Sequence, residues 1–394
     1  MRVAFVSVSR YPCAVEISRR PVLAHGPLIV GDSDQPKRVL DCSEEAQRWG
    51  VHRGMSVRNA LGACPHAVLV PPDPVLYGNL WEATLAAFAA VTPEVEDEEW
   101  GQAYLNVAGL QPHYRDEHEL GLRIIEAVYA ATGLEASAGI ASSKLTALAA
   151  AHSVPAGDVC IVPDDGAAGF LSSQPVELLP VDPDVSAHLR LLGIETLGEV
   201  ARLTVPELQS QFGFEGKRIW QLANGIDETP LYPRLQTEAL AARFTFEAPV
   251  AGIDVMVAVA RQLLSRLQPS LRGRAARGLT LQAELTSDRG WERCVVMREP
   301  VSEEQRLLFL LRSALTNFPP PQAIKSLTLR LDGLTGEKGR QLSLGEHARL
   351  QKQLEEVIQQ LKARYGYSPV YRCVDVEPWS VIPEERQILV ESDG

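Results

Sequence analysis

No stretch of this chain approaches the roughly 18 consecutive apolar residues that a membrane-spanning helix needs. The N-terminus has neither the basic start nor the small-residue cleavage site of a secretory signal. Six cysteines (Cys13, Cys42, Cys64, Cys160, Cys294 and Cys373) occur without a C-x-x-C pair, and the eight histidines show no ligand spacing. That argues against a zinc ribbon or a disulfide framework and for reduced, packed thiols in a cytoplasmic protein. Positive charge is also short: 38 Lys and Arg face 50 Asp and Glu, a net −12. Such a balance speaks against simple wrapping of nucleic acid over the whole surface.

What is present is globular. Apolar residues make up 45% and charged residues 22% of 394 positions, too long for one ordinary core, so two to four domains are expected. The charge is unevenly spread. Residues 241–345 hold fifteen Lys and Arg against ten Asp and Glu, an excess of +5 on a body that otherwise carries −17. A basic module on an acidic body suits a protein that touches DNA through one domain.

Arg2 to Val6 read as a short buried strand, while Glu82 to Ala90 and His118 to Ala131 carry apolar residues at helical spacing. In 241–340, alternation in Leu279–Leu285 and Cys294–Arg298 predicts paired strands, Val255–Leu267 and Glu303–Asn317 amphipathic helices, and Ile324–Leu331 a last strand. This order is compatible with a β-α-β-β-α-β unit. Arg272, Arg274 and Arg277 cluster between helix and strand, as a phosphate contact or as a solvated loop. Glu94, Glu96, Asp97, Glu98 and Glu99 precede Trp100-Gly101-Gln102-Ala103-Tyr104-Leu105-Asn106-Val107. If these residues form one strand, Glu99 shares a face with Gly101 and lies about 7 Å from it at ~3.3 Å per residue.

Trp100–Val107 resembles the catalytic strand of the Y-family DNA polymerases, S-I-D-E-A-Y-L-D-V. The Ala-Tyr-Leu-x-Val half is kept, and Gly101-Gln102 stands in place of Asp-Glu. Ser7-Val8-Ser9-Arg10-Tyr11-Pro12-Cys13-Ala14-Val15-Glu16 resembles the family's strand-ending Asp followed by F-D-x-F-F-A-S-V-E, with Ser7 at that metal-binding Asp and Pro12 at the aromatic steric gate. Glu45 to Val51 with Gly54-Met55 is similar to the fingers motif Y-E-A-R-x-F-G-V-x-x-G-M. There the triphosphate-holding Tyr and Arg fall on Glu44 and Gln47. Gly139 to Lys144 matches G-I-[AS]-x-[NS]-K, and the Lys of K-P-x-G falls on Val154 before Pro155 and Gly157.

The resemblance spans roughly residues 1 to 345. It implies an α+β multidomain, right-hand architecture. The palm would be 1–16 and 78–166, the fingers 17–77, a helix-hairpin-helix thumb 167–234, and a ferredoxin-like little finger 241–340. A clamp-binding-like peptide, helix and tail would occupy 341–394. Several functions are missing together while their framework residues remain, so the resemblance is to the catalytically degenerate, ImuB-like branch of bacterial mutasomes. A polymerase holds two Mg²⁺ ions with carboxylates. On this reading no cofactor is expected. The alternative is a weak polymerase with Mg²⁺ on relocated ligands such as Glu98, Glu99 or Asp41.

In the thumb, Phe212-Gly213-Phe214-Glu215-Gly216-Lys217 resembles the start of a hairpin that turns backbone N–H groups toward a phosphate, making Gly213, Gly216 and Lys217 candidate DNA contacts. A plain helix cap is the competing reading. The first hairpin, Val181-Asp182-Pro183-Asp184-Val185, lacks the usual glycines and carries two aspartates that repel phosphate. Gln341-Leu342-Ser343-Leu344 resembles the sliding-clamp peptide Q-L-x-L-F, with Gly345 in place of the aromatic. Ser343 with Glu346 also fits a capping box for a helix bearing Leu350, Leu354, Val357, Ile358 and Leu361. Partners implied by the resemblance are primer-template DNA, the sliding clamp, a C-family error-prone polymerase and a RecA-like accessory protein.

Overall fold

The computed structural model describes residues 2–32, 38–110, 114–234, 238–271 and 273–335, and the backbone of 371–375 and 387–391. The chain falls into two compact units, Met1–Leu334 and Thr335–Gly394. In the second, β13 (Tyr371–Asp375) and β14 (Gln387–Glu391) pair antiparallel. The expected clamp peptide with Gln341, Leu342 and Leu344, the helix after it and Trp379 lie outside the described residues, as does Arg272.

The first unit is built on a five-stranded sheet of order β5-β6-β1-β7-β8. Its strands are β1 (Val3–Ser7), β5 (Val95–Glu99), β6 (Gln102–Asn106), β7 (Ser137–Ala141) and β8 (Val159–Ile161). β1 is buried along its whole length because both sheet faces are covered. Ala4 and Val6 pack on Tyr77, Trp81, Leu85 and Phe88 of α4 (Pro74–Phe88) and on Leu120, Ile124 and Val128 of α5 (Glu117–Thr132). Val3 and Phe5 point the other way, onto Ala147, Ala150 and Ala151 of α6 (Lys144–His152). Small residues let α6 sit close. A Cβ at Gly139 would lie 2.1 Å from the Ala147 carbonyl, so this glycine is required by helix–sheet contact.

Between β1 and α4 the chain forms α1 (Tyr11–Arg19) and a small three-stranded sheet, β3-β2-β4. Its strands are β2 (Leu28–Gly31), β3 (Val39–Cys42) and β4 (Val68–Val70), with α2 (Glu44–Arg48) and α3 (Val57–Ala63) around Ile29, Val39, Cys42, Ala46, Val51, Ala60 and Cys64. Ser43 and Ser56 cap these two helices by accepting from the Ala46 and Asn59 backbones.

Five helices follow: α7 (Ala167–Leu171), α8 (Pro183–Leu191), α9 (Leu197–Arg202), α10 (Val205–Phe212) and α11 (Glu215–Ala223). Their core of Leu171, Val176, Leu189, Leu197, Val200, Leu208, Ile219 and Leu222 also takes in Leu145 and Ala149 of α6. Thr196 with Glu199 and Thr204 with Glu207 close two capping boxes. The bundle is clasped to α6 by Asp227, which accepts from Arg218 at 2.7 Å and from the Leu145 backbone at 3.2 Å. Burial alone would raise this carboxyl, but the Thr229 donors, the Leu145 N–H and Arg218 hold it below the usual range.

The last large module has the expected β-α-β-β-α-β order: β9 (Leu240–Val250), α12 (Ile253–Leu271), β10 (Ala276–Leu285), β11 (Gly290–Val301), α13 (Glu304–Asn317) and β12 (Ile324–Asp332). The sheet order is β11-β10-β12-β9, with every ladder antiparallel. Leu279, Leu281, Ala283, Leu327, Leu329 and Leu331 face the two helices. The alternate positions Gln282, Glu284, Thr328 and Arg330 face away. This module is seated on α4 by Asp73, which is only 3% exposed. Asp73 caps α4 through the Leu76 N–H at 3.1 Å and accepts the Gly290 N–H at 3.0 Å, with Arg19 3.8 Å away. Arg19 also donates to the Asp288 carbonyl at 2.6 Å, and Arg289 to the Pro72 carbonyl at 3.1 Å.

Candidate functional site

The ends of β1 and β5, the β5–β6 turn, the start of α1 and the β3 edge enclose a cleft of about 310 Å³. Ser7 closes β1, is 3% exposed, and stands opposite Gln102 in the ladder. The acidic run does not continue as one strand into Val107. β5 stops at Glu99, Trp100 and Gly101 make a tight turn, and β6 begins at Gln102. Glu99 therefore faces Gln102 across a hairpin instead of lying along the strand from Gly101. Two strands joined by a two-residue turn look like one long strand in sequence, so alternation alone does not reveal the reversal.

Gly101 has φ +87°, and its carbonyl accepts the Val8 N–H at 2.7 Å. A Cβ here would come within 2.7 Å of the Tyr11 Cβ and 2.9 Å of the Val8 carbonyl. Tyr11 is itself fixed, buried against Trp81 with its hydroxyl donating to the Tyr77 carbonyl at 3.1 Å. A side chain at 101 thus meets both a left-handed backbone and a filled space.

Pro12 lies in the first turn of α1 and supplies no N–H. Arg10, in the left-handed region at φ 50°, donates to Gln47 at 2.8 Å. Arg53 lies 3.4 Å from Glu99, and Gln102 donates to the same Glu99 oxygen at 3.0 Å. Asp97 accepts from the Trp81 indole at 2.7 Å. Asp41, which sequence reasoning named only as an alternative metal ligand, is 3% exposed and accepts the Cys13 N–H at 3.2 Å. Burial pushes its carboxyl above the usual range, and the Cys13 and Cys42 backbone donors oppose that. Glu44 and Val154 do not line the cleft: Glu44 pairs with Arg48 at 2.9 Å on the surface, and Val154 sits in the turn after α6. Lys144 is tied to Glu96 at 2.6 Å and lies 4.3 Å above the Tyr104 ring.

A two-metal centre needs carboxylates converging on both ions. Here Ser7 offers a hydroxyl, Gln102 an amide already donating to Glu99, and position 101 no room for a ligand. Among the described residues no group of three His, Cys, Asp or Glu is placed to hold a metal ion. The side chains present do not fit the ion pair.

The nucleic-acid candidates are also separated by the structure. Asp182 caps α8 by accepting the Asp184 N–H at 2.9 Å, so the first hairpin is satisfied internally. At the second hairpin, Gly213 has φ +59° and ends α10, and α11 begins without any side-chain cap. A Cβ at Gly216 would lie 2.5 Å from the Leu208 and Gln209 backbones, so glycine lets α11 cross α10 closely. Lys217 is exposed, and Phe214 at the hairpin tip is 99% exposed. Arg274 is not a free phosphate ligand. It donates to the Leu271 and Ser270 carbonyls at the end of α12 and pairs with Glu238 at 2.5 Å, because a helix C-terminus leaves carbonyls to be satisfied. Arg277 is exposed on β10.

Residues 6–152 match the impB/mucB/samB family, and residues 239–344 match that family's C-terminal domain. A DNA polymerase IV of Methanoculleus marisnigri is 30% identical over 354 residues, covering 87% of this chain and 97% of the relative. The chain belongs to the impB/mucB/samB family, the Y-family DNA polymerases. Among Y-family members, a DNA polymerase IV of Dehalococcoides mccartyi is 27% identical over 387 residues, covering 95% of this chain and 99% of that one. The fold is that of DinB from Sulfolobus solfataricus, with a TM-score of 0.54 at 18% identity over 84% of this chain and 98% of the other. An insertion ternary complex of Dbh DNA polymerase superposes with a TM-score of 0.52 at 18% identity over 84% of this chain and 98% of that one. The Y-family right hand accounts for the modules: five-stranded palm, small fingers sheet, helical thumb and little finger. Among the described residues no helix is long and apolar enough to cross a membrane.

Proposed function

We propose that this Y-family homologue is a non-catalytic, DNA-binding adaptor in lesion bypass and DNA repair, of the ImuB-like kind. The observation that carries this is the Gly101 turn, where a metal-holding carboxylate is absent and its Cβ has no space. Drift at one residue would leave the space behind; here Tyr11 and Val8 fill it. DNA contact is assigned to the second thumb hairpin, through the uncapped start of α11, Gly213, Gly216 and Lys217. The Gly216 N–H already donates to the Gly213 carbonyl at 3.2 Å, so a phosphate here would be favoured by the helix dipole and the nearby Lys217 cation. Arg277 adds a contact from the little finger. The sliding clamp would be held by Gln341, Leu342 and Leu344, and a C-family polymerase with a RecA-like accessory protein would perform the synthesis.

One observation favours a second reading. Asp41, Asp97, Glu98 and Glu99 all line the cleft, so a weak polymerase on relocated ligands is the competing hypothesis. Primer extension on undamaged and abasic templates, with Mg²⁺ and then Mn²⁺, separates the two. The parent is expected to bind primer-template and extend nothing. Extension that disappears in Glu98→Ala/Glu99→Ala would establish relocated catalysis.

A further inference from the structure

The cleft has one built-in cradle for an anion, the first turn of α1. A helix leaves its first N–H groups without intrahelical partners and concentrates partial positive charge there. α1 has no local side-chain cap, since Arg10 holds the capping position and Pro12 brings no N–H. The Cys13 N–H is nevertheless satisfied, because the Asp41 carboxylate reaches it from β3, 28 positions away in sequence. Asp41 is almost wholly buried and lines the cleft beside Arg10, Tyr11 and Pro12. Of the two cations of the cleft, Arg53 is paired with Glu99, whereas Arg10 donates to the neutral Gln47 amide and its buried Nε has no hydrogen-bond partner. In total the lining holds four carboxylates, Asp41, Asp97, Glu98 and Glu99, against two guanidiniums.

We infer that Asp41 is an internal anion occupying the place a phosphate would take, and that the cleft is thereby closed to nucleoside triphosphates. This deepens the adaptor reading and rests on the same cleft, but it is a separate claim, because a pocket without catalysis can still hold a nucleotide. A triphosphate arriving here meets a helix terminus already neutralised and an excess of negative charge. It would have to displace a buried carboxylate from the Cys13 and Cys42 backbone donors that hold it.

The test is equilibrium binding of inorganic triphosphate and of a fluorescent dATP analogue to the full chain. The parent is compared with Asp41→Asn and with Asp41→Asn/Glu99→Gln. Asn keeps the size of Asp and an oxygen that can accept the Cys13 N–H, so only the charge is removed. The parent is expected to show no saturable binding at millimolar ligand, and the double variant to bind at least tenfold tighter. Binding by the parent as tight as by the double variant overturns the proposal, and so does a folded double variant that binds no better than the parent. Selective ¹⁵N-cysteine labelling reads the parent without any substitution. The Cys13 amide resonance is expected to stay in place on adding triphosphate, and a saturable shift overturns the proposal. Primer extension on the same samples keeps the two claims apart. A parent that binds triphosphate but extends nothing sinks the internal anion alone, and a parent that extends sinks the adaptor reading too.

Discussion

Two helix N-termini in this chain have opposite fates. At α1 the cradle is filled from within, with Asp41 on the Cys13 N–H and Tyr11 packed under the Gly101 turn. At α11 the cradle has no side-chain cap, its hairpin glycines are both required by geometry, and a lysine stands exposed beside it. On the proposed reading the second is open to a phosphate and the first is not. Loss of nucleotide transfer at the palm is then, on the proposed adaptor reading, not general decay. The thumb hairpin, which needs an equally particular backbone, keeps it. A fold that abandons nucleotide transfer while holding its backbone-binding device intact is suited to sit on DNA without copying it.

The comparison can be broken most forcefully at the palm turn. Gly101→Asp, which would restore one family carboxylate, is expected to lower stability by about 2–4 kcal/mol, combining a left-handed backbone with overpacking against Tyr11. Urea unfolding measures it, and an unchanged midpoint would mean the turn is softer than its packing implies. At the thumb, Gly216→Val should cost about 1–3 kcal/mol by forcing α11 away from α10, and DNA affinity should fall with it in fluorescence anisotropy. Lys217→Ala should leave stability alone and weaken DNA binding a few-fold, flattening the slope of log K against log salt by about 0.9 for one lost phosphate contact on duplex DNA. A salt slope equal to the parent's would remove Lys217 from the interface.

A smaller effect has a definite sign with pH. Burial raises the Asp41 carboxyl above its unfolded value. A raised carboxyl penalises the folded state when ionised, so the penalty is complete above the folded pKa and fades as pH falls toward about 4, the usual aspartate range. Asp41→Asn should therefore melt at or above the parent's temperature at pH 7, with the difference shrinking on acidification. A larger advantage at pH 4 than at pH 7 would contradict the burial argument. The smallest effect is expected at Glu44. Its pair with Arg48 is exposed, so Glu44→Ala should change stability by no more than about 0.5 kcal/mol.

Much of the scaffold was legible in the sequence, because the signals are local. The little-finger strands alternate by twos and its helices repeat at helical spacing, and both stand where that pattern puts them. The site was less legible because its decisive contacts are remote. Nothing near Asp41 announces that its carboxylate serves an N–H on another element, and nothing near Arg274 announces that it closes a helix instead of a phosphate. Asp182 and Asp184 do mark a hairpin whose charge repels phosphate. Sequence gives the repulsion but not the capping bond that makes it structural. The acidic run misled for a simple reason. Alternation is blind to a chain that reverses within two residues.

The seating of Gly290 on Asp73 has a consequence for anyone exchanging modules among Y-family proteins. A Cβ at Gly290 would stand 2.5 Å from the Val75 side chain. A transplanted little finger that brings any other residue to this position cannot settle at the same tilt on this palm. Portability of the module is therefore decided by a single missing methyl group, and a chimera would have to inherit the glycine and the aspartate as a matched pair.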